Sequence, residues 1–281
     1  FLPNYVWHME EPICEPPAVA LYYVSKLAKD HVKVLISGEG GDEAFAGYES
    51  YRNLVWLEKI KRFAGPLRHV GGYIGSSLTQ METLRRFNKY GQLIRMDFED
   101  YYYSRASSPV TFFNKNAKSV FNPELFNSEF EIRDFDKYRK SLFPNIENLH
   151  LLDKMLYVDT KTWLPDDLLL KADKMTMANS IELRVPFLDH VVLEYAASLP
   201  VDFKLNGFTT KYILKKSLEG LVPHEILRRK KTGFPVPYEQ WLSKELNGYV
   251  HDLLLDERTI NRGYFQRDVI TSLLDVNSRR P

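Results

Sequence analysis

The run Val32–Ile36 (VKVLI), followed at once by Ser37-Gly38-Glu39-Gly40-Gly41-Asp42-Glu43, restricts the fold more than any other stretch. A short β-branched and aliphatic run is a strand, and one so largely apolar belongs inside a parallel sheet covered on both faces. The segment before it, Pro17–Lys29, places Ala20, Tyr23, Val24 and Leu27 at helical spacing. Helix, strand and glycine turn make half of a doubly wound α/β unit. A parallel strand needs partners and crossovers. The expected arrangement is therefore an α/β fold, predominantly helical, whose neighbouring strands lie upstream of Phe1. The alternative is an α-rich fold in which Val32–Ile36 pairs with weak strands elsewhere in the chain.

Most of the rest reads as helix. Tyr51–Phe63 is amphipathic and ends before Gly65-Pro66; Arg86–Arg105 mixes aromatics and charges. Leu149–Trp163 carries Leu152, Met155, Leu156 and Trp163 at helical spacing, and Pro165 is expected to stop it. Further helices are expected over Asp166–Asn179, Leu188–Ser198, Thr209–Leu221, Pro223–Lys230, Pro237–Leu255 and Gln266–Val276. Thr111–Phe121 and Ser128–Asp136 read as loops, and Asn277–Pro281 as a frayed end. Phe1-Leu2-Pro3-Asn4 reads as mid-domain sequence rather than a signal segment.

Charge is balanced, with 38 basic and 37 acidic residues, so no general affinity for nucleic acid or an anionic membrane is expected. No apolar run reaches the ~18–20 residues of a membrane span. Cys14 is the sole cysteine, which excludes an intrachain disulfide and a cysteine-rich zinc site. A reducing, cytoplasmic home fits that composition.

Chemistry concentrates in three clusters. Glycines after a strand let backbone N–H groups approach an anion at the sheet's C-terminal edge. The carboxylates of Glu39, Asp42 and Glu43 would repel phosphate unless a cation intervenes, and Mg²⁺ held by one or two carboxylates plus substrate phosphates resolves the conflict. An acidic surface turn is the plain alternative. The pattern is neither GxxxxGK[ST] nor GxGxxG. The second cluster, Arg228-Arg229-Lys230-Lys231-Thr232-Gly233-Phe234-Pro235, is either a solvated helix end or a lysine presented to polyphosphate from a fixed loop. Its Lys-Thr-Gly lacks the Ser-x-x-Lys nucleophile that a β-lactamase reading needs. The third cluster, Lys171–Asp189, alternates charged and apolar residues; Glu182 and Arg184 are expected in a buried ion network. The histidines lack metal-ligand spacing, His8 fits a surface role, and Tyr101-Tyr102-Tyr103 fits helix packing better than a stacking platform.

Together these segments resemble the synthetase domain of glutamine-dependent asparagine synthetases. The resemblance rests on His8–Pro17, on Val34–Tyr48 (VLISGEGGDEAFAGY), on Lys171–Asp189 with its ELRVPFLD, and on Lys211-Tyr-Ile-Leu-Lys through Lys231-Thr-Gly-Phe-Pro235. It implies an adenine-nucleotide alpha-hydrolase-like (ATP-pyrophosphatase) parallel-sheet fold, with residues 1–281 as the C-terminal portion of a synthetase domain. It implies ATP and Mg²⁺ as cofactors. The implied substrate is aspartate or another small acid, with ammonia supplied by a glutaminase domain. A carboxylate attacks the α-phosphate, pyrophosphate leaves, and ammonia displaces AMP. By the resemblance Ser37 and Gly38 contact the nucleotide. Glu39 acts around acyl-adenylate formation, Asp42 helps hold Mg²⁺, and Lys231 and Lys211 meet the pyrophosphate. The acid/base partner of Glu39 is open among Asp166, Asp167 and Asp173, and a homodimer stays open.

The family's Ser-Gly-Gly-x-Asp-Ser loop and N-terminal cysteine do not occur here, so both are expected upstream of Phe1, and the chain alone is expected to be inactive. Glu15-Pro16-Pro17 stands where the family commonly has Asp-Pro-Ser or Asp-Pro-Thr. That departure keeps open a relative that adenylates another acid. A non-catalytic binding domain that keeps the fold is the third possibility.

Overall fold

The structure is a computed structural model, and it describes residues 1–13, 15–65, 90–104, 108–127, 137–138, 140–229 and 236–278. The chain forms two compact units, Phe1–Ser108 with Leu142–Phe234, and Pro109–Ser141 with Pro235–Pro281.

The first unit opens with a helix, Leu2–Met9, that the sequence reading missed. Helix Pro17–Ala28 follows, started by Pro16 and Pro17, whose fixed φ suits a first turn. Met9, Ala18 and Met175 are fully buried together, with Tyr5, Ile13, Leu21 and Tyr22 packed around them. This core joins the first two helices to helix Leu170–Met177. Polar groups lock the same contact: Asn179 Nδ2 donates to Ser25 Oγ at 3.1 Å and to the Tyr22 carbonyl at 3.1 Å.

Strand β1 is Val34–Ile36, two residues shorter at its start than expected. Its partner is β2, Glu182–Arg184, running parallel in the register Val34↔Glu182, Leu35↔Leu183, Ile36↔Arg184. A three-residue strand reading charged–apolar–charged gives almost no strand signal, which is why this partner was overlooked. Two expectations are corrected. The strand is not covered on both faces among the described residues, since Val34 is 38% and Ile36 77% exposed. Glu182 and Arg184 are not a buried network either; their side chains are exposed and pair with each other at 2.8 Å.

Helix Glu49–Ala64 matches its expectation and ends on Gly65 at φ +50. Helix Leu151–Lys161 also matches, its first turn capped by His150 Nδ1, which accepts from the Leu152 N–H at 3.1 Å. Pro165 does not stop the chain. It sits in the first turn of a π-helical segment, Leu164–Leu169, where its missing N–H costs nothing, and the chain passes on into Leu170–Met177. Arg86–Arg105 is not one helix: within the described part, residues 90–93 and Phe98–Tyr101 are helical and separated by a turn. Tyr101 and Tyr102 are buried, in line with a packing role. Tyr51 and Tyr102 both donate to Asp159 Oδ2, at 2.6 and 2.8 Å.

After β2 come helix His190–Ser198, helix Val201–Lys204, and a hairpin of β3 (Leu205–Asn206) with β4 (Thr209–Thr210). The hairpin falls where a helix was expected to begin; helix Tyr212–Ser217 is shorter than that expectation. Helix His224–Arg228 closes the described part of this unit.

The second unit contains helices Phe112–Val120, Asn247–Leu255 and Arg267–Ser278. The first was expected to be a loop on its Asn, Lys and Ser content; Phe113, Ala117 and Val120 nonetheless recur at helical spacing. Pro237–Leu255 divides into Tyr238–Ser243 and Asn247–Leu255. Ser128–Asp136 and the last three residues lie outside the described residues. No described helix is long and apolar enough to cross a membrane.

Candidate active site

The loop after β1 is a continuation of the sheet that then turns back. The Ser37 N–H still donates to the Arg184 carbonyl at 2.8 Å, and the Ser37 hydroxyl donates to Glu39 Oε2 at 3.1 Å. At Gly38 a Cβ would meet nothing within 4 Å, so open space borders this backbone. Gly40 is different: it has φ +83, and a Cβ there would lie 2.0 Å from Leu188. Only glycine satisfies both demands. The short helix Gly41–Phe45 follows, seated by Ala44 and Phe45 against Ala196, with Phe187, Leu193 and Ile213 packed around them.

Asp42 on this helix pairs with Lys211 at 2.8 Å. Lys211 has φ +52, a left-handed conformation unusual for a residue with a side chain, and stands as N-cap of Tyr212–Ser217. Gly47 makes the pair possible. A Cβ there would lie 1.7 Å from Asp42 Oδ1 and 2.2 Å from Lys211 Cε. Lys215, one turn after Lys211, is held below the usual lysine range by burial and then by the Lys211 charge. The sequence reading did not single it out, although four-residue spacing from Lys211 was its signal.

Glu39 is pushed above the usual carboxylate range, first by burial. The Ser37 hydroxyl and the Lys171 charge oppose that shift, and Glu43 adds to it. Lys171 and Glu15 were both missed as site residues. Lys171 is 5% exposed and bonds Glu15 at 3.0 Å and Asp167 at 3.4 Å, with the Trp163 ring 5.8 Å away. Of the three aspartates considered for Glu39, Asp167 is thus linked to its surroundings through Lys171. Glu43 is buried and accepts from the Tyr48 hydroxyl at 2.7 Å. Lys231 and the rest of 230–235 lie outside the described residues.

The arrangement brings Ser37, Gly38, Glu39 and Asp42 to one strand end and adds Lys211 from a distant segment. Among the described residues no group of three His, Cys, Asp or Glu side chains could cage a metal. The donor set suits Mg²⁺ in its phosphate-sharing mode, where one carboxylate such as Asp42 suffices.

Fold and loop define a mostly helical α/β protein with a small parallel sheet whose edge carries a glycine- and acid-rich turn. The model of the Asparagine synthase family matches residues 1–280, and the chain belongs to that family. It is 38% identical to asparagine synthetase (glutamine-hydrolysing) 1 of Bacillus subtilis over 98% of this chain and 41% of that protein. It is 37% identical to a putative asparagine synthetase of Mycobacterium bovis over 86% of this chain and 35% of that protein. Amidase chyE of Penicillium rubens is 26% identical over 92% of this chain and 40% of its own length. The chain therefore spans about two fifths of the length of the curated relatives it matches. No solved structure matches it.

Proposed function

We propose that residues 1–281 are the C-terminal portion of the acid-activating domain of an ATP-dependent asparagine synthetase. The observation that carries this reading is the Asp42–Lys211 pair at 2.8 Å, standing beside the Ser37–Glu39 turn at the end of β1. A carboxylate and a cation side by side at an open glycine backbone suit a nucleotide's phosphates and their counterion. The exposed β1 supports a larger parallel sheet of the ATP-pyrophosphatase type, completed by strands elsewhere in the full protein.

In this reading the side-chain carboxylate oxygen of aspartate attacks the α-phosphorus of ATP. The bond to pyrophosphate breaks, giving β-aspartyl-adenylate. Ammonia, delivered by a glutaminase domain, then attacks the acyl carbon; AMP leaves with the electron pair, and one proton is lost from nitrogen. Ser37 and Gly38 hold the nucleotide. Lys211 and Lys231 face the charge that develops on pyrophosphate, where fixed cations contribute most. Asp42 would hold Mg²⁺, which when bound supplies positive charge to the phosphates. Glu39 orients the attacking groups or accepts the ammonia proton, a task for which a raised carboxylate is better matched than an ordinary one. The chain by itself is expected to bind ATP weakly without turnover.

A second reading, a relative that activates another acid, draws on Glu15. This residue is drawn into the Lys171 pair at 3.0 Å, where the family commonly has a different sequence. The likeness to a protein called an amidase leaves the same question open. ATP–pyrophosphate exchange by the full-length protein separates the two. Exchange that depends on aspartate supports the first reading; no exchange with aspartate but exchange with another acid assigns the second.

A further inference from the structure

Lys211 depends on a left-handed backbone and reaches Asp42 across a glycine gap, so something must fix where its segment stands. The residues before it form the hairpin Leu205–Asn206/Thr209–Thr210, whose two-residue loop is Gly207-Phe208. Gly207 has φ +57 and Phe208 is not among the positive-φ residues, the pattern of a tight loop with glycine at its first central position.

The hairpin is tied at both ends. At its base Lys204 is 1% exposed and bonds Asp153 at 2.9 Å and the Ala197 carbonyl at 3.3 Å. At its tip Phe208 stacks on Trp56, with ring centroids 6.0 Å apart and planes 17° apart. Arg52 lies over the other contact of this ring, its guanidinium carbon 5.8 Å from the Phe208 centroid, and Arg52 Nη1 donates to the Phe208 carbonyl at 3.4 Å. Both Arg52 and Trp56 stand on helix Glu49–Ala64, one turn apart. That helix begins two residues after Gly47, the floor of the Asp42–Lys211 pair. Phe208 is 74% exposed, so hydrophobic burial does not explain a phenylalanine there. Its ring contacts do.

We infer that the Arg52–Trp56 clamp on Phe208 is a positioning device for Lys211, setting the register in which its ammonium meets the nucleotide's phosphates. The inference rests on the phosphate-binding role given above to Lys211. Helix Glu49–Ala64 serves as a common reference. It carries the clamp, and its start fixes Gly47, so the clamp and the site move as one piece. A hairpin released at its tip would pivot about the Lys204 anchor and carry Lys211 away from Asp42.

The test uses the full-length protein and steady-state kinetics with ATP and acid varied separately. Phe208→Ala removes the clamp without touching the core. The expected result is a KM for ATP raised roughly fivefold, the size of a lost ring contact, with kcat at saturating ATP and KM for the acid held within about twofold. Phe208→Trp restores the ATP KM, which a merely structural role for the position would not require. Trp56→Ala, changed on the other side of the contact, reproduces the Phe208→Ala effect. Lys211→Ala is measured in parallel. If Lys211→Ala raises the ATP KM and Phe208→Ala does not, the clamp is overturned and the Lys211 role stands. If Lys211→Ala leaves the ATP KM unchanged, the role of Lys211 fails and the clamp's purpose falls with it.

Discussion

Glu39 is a carboxylate that burial drives toward its neutral form, and that has two opposite consequences. For activity, the ionised form is the useful one, so the acidic limb of the pH–rate profile is expected above the ordinary carboxylate pKa of 4.5. Lys171 pulls Glu39 downward, so Lys171→Met is expected to move that limb to higher pH. A limb that stays in place would contradict the coupling. For stability the sign is reversed. A carboxylate whose folded pKa is raised opposes folding; the cost grows as pH rises from the unfolded value through the folded one and is full at neutral pH. Glu39→Gln is therefore expected to abolish amide formation yet raise Tm at neutral pH, with the gain vanishing below the unfolded pKa. Gly47→Ala is the complementary test. Its Cβ has no room between Asp42 and Lys211, so the variant should lose about 1–3 kcal/mol in urea unfolding and bind ATP more weakly. At this scale Ser37–Asp42 were legible, because a strand followed by glycines and acids is a local pattern. Lys211 was legible only through resemblance. Lys171 and Glu15 were not legible, since no local pattern announces an ion pair between segments so far apart in sequence.

Among the elements, helix Glu49–Ala64 does the most. Its first turn follows Gly47, its middle holds the Phe208 clamp, and Tyr51 reaches Asp159 on helix Leu151–Lys161 at 2.6 Å. Asp159 is fully buried, and a buried carboxylate that loses a donor is costly. Tyr51→Phe is expected to destabilise the protein by about 1–3 kcal/mol in denaturant unfolding. Glu182→Ala, which breaks only the exposed pair with Arg184, is expected to cost less than about 0.5 kcal/mol. Equal effects would mean that the two pairs are not distinguished by burial. Long amphipathic helices such as this one were readable from periodicity. The β1 partner was not, because β2 owes its strand state to pairing with β1 rather than to its own three residues. Pro165 misled for a related reason: proline forbids a helix interior but suits a first turn, and only the surrounding chain decides which it occupies.

At the scale of the molecule, a small parallel sheet collects the site's carboxylates at one strand end, and the later segments return a lysine to meet them. Family membership was legible because its motifs run in order along nearly the whole chain. The measurement that tests the central claim most directly is the fate of ATP in the full-length protein supplied with aspartate and ammonia. Adenylation at the α-phosphate predicts one AMP and one pyrophosphate for each asparagine formed, with both products lost in Glu39→Gln and in Lys211→Ala. Release of ADP and inorganic phosphate instead would place the attack at the terminal phosphate and contradict the assignment of this site.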